Sequence, residues 1–306
     1  MKLAFFPGCL IPIKYPQMER AIRSTLPRLG IEIVDLPGLT CCPDPIFFKA
    51  THPLDWLTLA ARNLCLAEAA GLDYFTVCSG CTATLSEASY LLAEDEALRE
   101  RVNRRLARIG KHYEGRARVR HVVTMLRERV GLDRVRASVV RPLTDVTVAL
   151  HYGCHLLKPS KIMHVDDPDD PQILGELVSA TGATVVRHAE RFLCCGKGCV
   201  DPDLPETMTH AVLASIAATG ADCMGVVCPT CFSSFDTGQL VIARKRGEQL
   251  EVPPVYYFQL LGLAQGMSPE ELGLYRHRVP PRKLLAKIGA ATGAAPRASA
   301  GGSTAP

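Results

Sequence analysis

The sequence contains no uninterrupted apolar run of about eighteen residues, so no segment of it reads as a membrane span. It has no excess of one charge: 35 basic side chains face 31 acidic ones, and a net charge of +4 is too balanced for a nucleic-acid surface. No signal peptide is expected either. The opening MKLAFFPGCLIPI is interrupted by Pro7, Gly8 and Pro12, leads to no small-residue cleavage site, and leaves too short a stretch before Cys9 for a lipoprotein signal. The expected compartment is a reducing cytoplasm. With 47% hydrophobic and 22% charged residues, the 306-residue chain has ordinary globular composition and length for two domains.

Cysteine is what the chain has in excess, thirteen in all. In a reducing compartment clustered thiols serve metals or redox chemistry rather than structural disulfides. Ten of the thirteen repeat one pattern. The first copy is C-x31-CC-x35-CxxC from Cys9, and the second is C-x39-CC-x32-CxxC from Cys154. A lone cysteine, an adjacent pair and a CxxC recurring in that order at a nearly constant offset mark an internal duplication.

The flanking sequence repeats too. Each lone cysteine ends a β-prone run (LAFFPGC, VTVALHYGC), each pair follows a second (IEIVDLPGLTCC, ATVVRHAERFLCC), and each CxxC caps a third (YFTVCSGC, MGVVCPTC). VRHVVTML and VYYFQLLG close the two halves. Helical patterns lie between, over 53–70 and 207–218, and Gly71 and Gly220 end them. Alternating strands and helices predict an α/β fold of two duplicated halves with mainly parallel sheets, related by a pseudo-twofold. The first half spans 1–140, the second 141–288, with the joint between Leu132 and Asp145 and a disordered tail over 289–306. The Arg-rich stretch 92–111 reads as a solvated face, and HVDDPDDP at 164–171 as a surface loop. The cysteines fall at the carboxyl ends of strands, where open α/β sheets place their ligands.

Four chemistries compete for these thiols. A disulfide network conflicts with the compartment, and adjacent cysteines make strained partners. Structural zinc takes four ligands in a closed tetrahedron, whereas each half offers five. A thiol–disulfide oxidoreductase using only the CxxC pairs leaves Cys9, Cys41 and Cys42 without a role. Iron–sulfur clusters suit thiolates drawn from distant loops, with adjacent cysteines addressing different irons.

Beyond the cysteines, the segments FPGCLIPIKYP, TCCPDP, ARN at Ala61 to Asn63, VALHYGCHLLKPS, LCCG, VCPTCFSSFDTGQ and QLLGLAQGMSPEELGL span Met1 to about Leu274. Together they resemble the B subunits of heterodisulfide reductases, which form a family with duplicated cysteine-rich CCG domains. The resemblance implies two noncubane [4Fe-4S] clusters. Cys9, Cys41, Cys42, Cys78 and Cys81 would hold the first, and Cys154, Cys194, Cys195, Cys228 and Cys231 the second. It also implies a disulfide substrate cleaved between the clusters, an Fe-S electron donor of the C type and a flavin protein of the A type. The chain departs from the family in its shortened loop after Gly196, which carries the extra Cys199, and in Pro43 after the first pair. Arg outnumbers Lys 25 to 10, which leans toward the bacterial sulfur-oxidising relatives, an oxidative direction and a thiol substrate such as a lipoyl carrier protein.

Outside the ligand set, Cys65 lies on an apolar helical stripe with Leu57, Ala61 and Leu64 and reads as a core thiol; Cys223 opens a strand and reads the same way. Cys199 is a candidate for lining the substrate gap. His155 and Lys158 are candidates for donating protons or binding an anionic group near the second cluster, with hydrogen bonding to cluster sulfur as the other role for them. Met267 to Pro269 reads as a helix start. The alternative function is electron transfer alone, in which a site holds zinc or an ordinary [4Fe-4S] cluster and no disulfide chemistry occurs.

Overall fold

A computed structural model describes residues 1–201 and 203–289; the tail expected over 289–306 lies, past Gly289, outside the described residues. Eight strands form two four-stranded sheets. The first contains β1 (Lys2–Phe6), β2 (Glu32–Asp35), β3 (Tyr74–Thr76) and β4 (Val119–His121), and the second β5 (Thr147–His151), β6 (Thr184–Val186), β7 (Cys223–Val226) and β8 (Pro254–Tyr256). Their orders are β2-β1-β3-β4 and β6-β5-β7-β8, with every pairing parallel. The duplication seen in the cysteines is thus a duplication of topology, and each expected β-prone run supplies one strand.

Parallel strands covered by helices on both faces must be apolar throughout. Accordingly β3, β7 and β8 are buried at every residue and β1 at all but its first, while the edge strands β2 and β6 stay half-exposed. Phe5 of β1 stacks on Phe75 of β3 with ring centroids 5.0 Å apart. The expected helices form over Pro53–Ala70 and Leu204–Ala217. Gly71 takes the left-handed conformation, φ 64°, that terminates the first of them without the steric penalty a Cβ would add.

The Arg-rich stretch becomes the helix Glu96–Leu106, which buries Val102 and Leu106 and leaves most of its charges in water. The HVDDPDDP loop owes its shape to its own carboxylates. Asp166 accepts from the backbone N–H groups of Gln172 and Ile173, and Asp167 from those of Asp169 and Asp170.

Several contacts join the halves. The helix Pro16–Thr25 packs on Tyr257–Ala264, and Ser79–Glu94 on Cys154–Leu157. Tyr15 meets Phe232 edge to face at 5.1 Å, and Lys14 Nζ donates to Ser233 Oγ at 3.0 Å. Between the sheets, the backbone N–H groups of Val140 and Arg141 both bond to the carbonyl of Ala264. This arrangement brings carboxyl ends of strands from the two sheets together.

Candidate functional site

Where the two carboxyl edges meet lies a cavity of about 230 Å³, and all ten cysteines of the repeated pattern line it. Loops deliver the pairs, the lone cysteines stand at the starts of short helices (Cys9 just before Leu10–Lys14, Cys154 first in Cys154–Leu157), and the CxxC motifs open long ones. Cys78 and Cys228 adopt nearly identical extended backbones, φ −134° ψ 121° and φ −127° ψ 124°, immediately before the helices Ser79–Glu94 and Pro229–Arg246. The free N–H groups of those first turns favour negative charge on the thiols.

The sulfurs form a string. Cys9 Sγ stands 3.9 Å from Cys41 Sγ, and Cys154 Sγ 3.6 Å from Cys194 Sγ. Electrostatic coupling between neighbouring thiols continues from Cys41 through Cys42 and Cys81 to Cys78, then crosses the seam to Cys228 and runs through Cys231 and Cys195 to Cys194. Read from either end the order is the same, so the string is a direct trace of the pseudo-twofold. Adjacent cysteines turn to different neighbours: Cys41 to Cys9, but Cys42 to Cys81. All thirteen cysteines are free thiols. Among the described residues, no three or more His, Cys, Asp or Glu side chains converge so as to hold one metal ion.

Such a string cannot ionise throughout. Hydrogen bonds from Cys41 and Cys81 pull Cys42 down to about 5, those from Cys154 and Cys195 pull Cys194 down to about 2, and those from Cys231 and Cys78 hold Cys228 well below the ordinary thiol range. Their donors respond in the opposite sense. Bonding to Cys41 and burial raise Cys9, bonding to Cys194 and burial raise Cys154, and bonding to Cys194 takes Cys195 up to about 11. Ten thiolates could share this cavity only if positive charge came in with a ligand.

Polar residues outside the cysteine pattern hold these loops. Asn63, fully buried on the helix Pro53–Ala70, accepts from Thr40 N at 3.1 Å and donates to the Cys41 carbonyl at 3.0 Å. Thr209, buried on the matching helix of the second half, donates to the Cys195 carbonyl at 3.1 Å. Asp44 Oδ1 accepts from the backbone N–H groups of Ile46, Phe47 and Phe48, folding the PDP segment into one wall. Gly8 (φ 70°) and Gly153 (φ 80°) bring backbone against Cys81 and Cys231.

Of the candidate catalytic residues, His155 lines the cavity, with Nδ1 3.3 Å from Cys154 Sγ. Lys158 is exposed and outside it, because it takes an extended backbone right after the four-residue helix Cys154–Leu157. Cys199 is also outside the lining; its sulfur turns to Met208 Sδ at 3.5 Å. Lys197, three residues after Cys194, reaches the cavity in their place, and only its position beside the cysteine pair hinted at it. Cys65 and Cys223 are buried in the core away from the cavity, where burial pushes Cys65 up to about 11 and Cys223 higher.

Comparison with known proteins adds to this geometry. Residues 3–86 and 148–236 each match the family model for CCG, the cysteine-rich domain. The chain is 41% identical to the B subunit of the ferredoxin/F(420)H(2)-dependent CoB-CoM heterodisulfide reductase of Methanosarcina acetivorans, over 94% of this chain and 97% of that one. It is 32% identical to the 8-methylmenaquinol:fumarate reductase membrane anchor subunit of Wolinella succinogenes, over 92% of this chain and 99% of that one. Among the described residues here, no helix is long and apolar enough to cross a membrane. A crystal structure of a hypothetical protein from Helicobacter pylori superposes with a TM-score of 0.67 at 18% identity, over 91% of this chain and 52% of that one, a likeness of fold alone.

Proposed function

Because the chain belongs to the family of heterodisulfide reductase B subunits, with its duplicated cysteine-rich CCG domains, we propose that it is the iron–sulfur catalytic component of a heterodisulfide reductase-like complex. The observation that carries this reading is the single cavity lined by all ten cysteines. An electron relay has no need of a common chamber, and the opening of both cysteine sets into one cavity supports a substrate that reaches both.

The donor set fits two clusters better than zinc. It is all soft thiolate, five per half, and it runs as a string rather than closing on a point. Cys9, Cys41, Cys42, Cys78 and Cys81 would hold one noncubane [4Fe-4S] cluster, and Cys154, Cys194, Cys195, Cys228 and Cys231 the other. When bound, the clusters would take up electrons and accept one substrate sulfur each. The overall change is RS–SR′ + 2e⁻ + 2H⁺ → RSH + R′SH, and the relatives' names favour this direction over the oxidative one. The chain's own residues seat the substrate between the halves, exclude water with the walls at Ile46 and Pro229, and place His155 where it can hand a proton to a leaving thiolate. Lys197 offers charge to an anionic end of the substrate. A C-type iron–sulfur protein is the electron donor and an A-type flavin protein stands behind it, in the cytoplasm. The substrate is a small heterodisulfide or a lipoyl group on a carrier protein.

Anaerobic purification with iron, zinc and sulfide analysis tests this. The expected content is about eight irons per chain; about four, with zinc making up the difference, sinks the two-cluster reading. Reduced viologen plus a model disulfide should then yield two thiols per disulfide consumed. Cys195→Ser should disturb the EPR signal of the second site alone.

A further inference from the structure

We propose that Tyr256 is a positioning residue that ties the two cysteine sites into one electrical unit, an inference that rests on both sites holding clusters as read above. Tyr256 ends β8 and is fully buried. Its hydroxyl donates to the carbonyl of Val77 in the other half and stands 3.4 Å from the carbonyl of Val227 in its own. Val77 immediately precedes Cys78, and Val227 immediately precedes Cys228, so one phenolic proton serves the approach to both CxxC turns.

The backbone that carries the ring is itself held. Gln259 accepts from the Tyr256 backbone N–H at 3.0 Å, and its amide nitrogen donates to the Leu272 carbonyl at 2.9 Å and meets His277 Nε2 at 2.9 Å, all within the core. The first half is built to match. Tyr256 pairs in register with Val226, and His121 at the end of β4 pairs with Thr76, so the two rings occupy the same place in the two halves. His121 is also buried and leans on the backbone of Val227, across the seam, although its Nε2 forms no hydrogen bond of good geometry; its Nδ1 accepts from Val123 N at 3.3 Å. Each fourth strand therefore ends in a polar ring directed at the opposite half's CxxC approach, and Tyr256 makes the firmer contact.

The phenol offsets the negative ends of two carbonyl dipoles close to where added electrons reside. Without it, both carbonyls oppose reduction at both sites, so both midpoint potentials should fall together. The test uses the full chain, purified anaerobically, with redox-poised EPR and metal analysis on wild type, Tyr256→Phe, Tyr256→His and Tyr257→Phe. Tyr257 is the control: its hydroxyl is buried without a hydrogen-bond partner. Tyr256→Phe should retain its iron and lower both potentials, Tyr257→Phe should move neither, and Tyr256→His, whose shorter ring keeps an N–H donor but reaches less far, should lower both by less than Tyr256→Phe. A shift confined to one site, or no shift with iron intact, overturns the proposal. If Tyr256→Phe does not fold, Tyr256→His decides: both potentials shifted together from wild type support the tie, and one moving alone or neither moving refutes it. Wild-type protein lacking two iron-loaded sites would instead overturn the functional reading, and would do so before any variant is made.

Discussion

Gly8 leaves room for the sulfur of Cys81: a β-carbon at that position would stand 2.9 Å from it. Gly153 has the corresponding relation to Cys231 at 3.2 Å, so both glycines after the first strands serve the last cysteine of their half's CxxC.

Gly8→Ala should therefore cost about 1–2 kcal/mol through its left-handed backbone and, through the collision, empty the first site. Iron per chain should fall by about half, with the second site's signal intact. Gly153→Ala, with the looser contact, should have a milder effect on the second site. Metal analysis and EPR on the two variants check both halves of the expectation.

The core thiols should behave as bystanders. With Cys65 held at about 11, only about one thiol in a thousand is ionised at pH 8, and Cys223 is ionised less. Native-state alkylation followed by peptide mass mapping should spare both, and Cys65→Ala should retain full iron. Cys223→Ser should also keep its iron but lose about 1–3 kcal/mol of stability, because a hydroxyl replaces a fully buried thiol in β7 with no partner provided.

Acid sensitivity should come in part from His277. It is fully buried, its Nε2 faces the Gln259 amide at 2.9 Å and its ring meets Phe232 edge to face at 4.9 Å; burial lowers its pKa to about 3. The unfolded chain binds that proton near pH 6.5 and the folded chain does not, so the stability from this group is complete above about 6.5 and drains away as pH falls. Between pH 6.5 and 5 the loss amounts to about 2 kcal/mol. Urea midpoints across that range should fall for wild type and fall less for His277→Gln; equal slopes would show that another group is responsible.

The strands and the site lie open in the sequence for one physical reason. Parallel buried strands are short apolar runs, and ligands gather at their carboxyl ends, so a cysteine just past such a run is already placed. The repeat then makes the second half a check on the first. Residues acting across space leave no such mark. Asn63 stands inside a recognisable ARN run, yet nothing local shows that its amide spans Thr40 and the Cys41 carbonyl. Tyr256 sits in an apolar strand whose composition explains it fully until the opposite half is docked. Lys158 and Cys199 are close to the patterned cysteines along the chain, but the structure turns both from the cavity: an extended residue after a four-residue helix carries one away, and Met208 draws the other.

The two sheets exchange no strand, and this has a consequence for how the protein is made. The first sheet is complete once His121 has been synthesised, but the thiols that face its cysteines arrive only with the second sheet, which ends at Tyr256. A ribosome adding about 5–20 residues per second takes on the order of ten seconds to cover that stretch. During this interval Cys9, Cys41, Cys42, Cys78 and Cys81 form a half-bowl open to water, oxidants and stray metal. On the two-cluster reading proposed above, that nascent half has to stay reduced and unloaded, and cluster insertion belongs after the second sheet has closed over it.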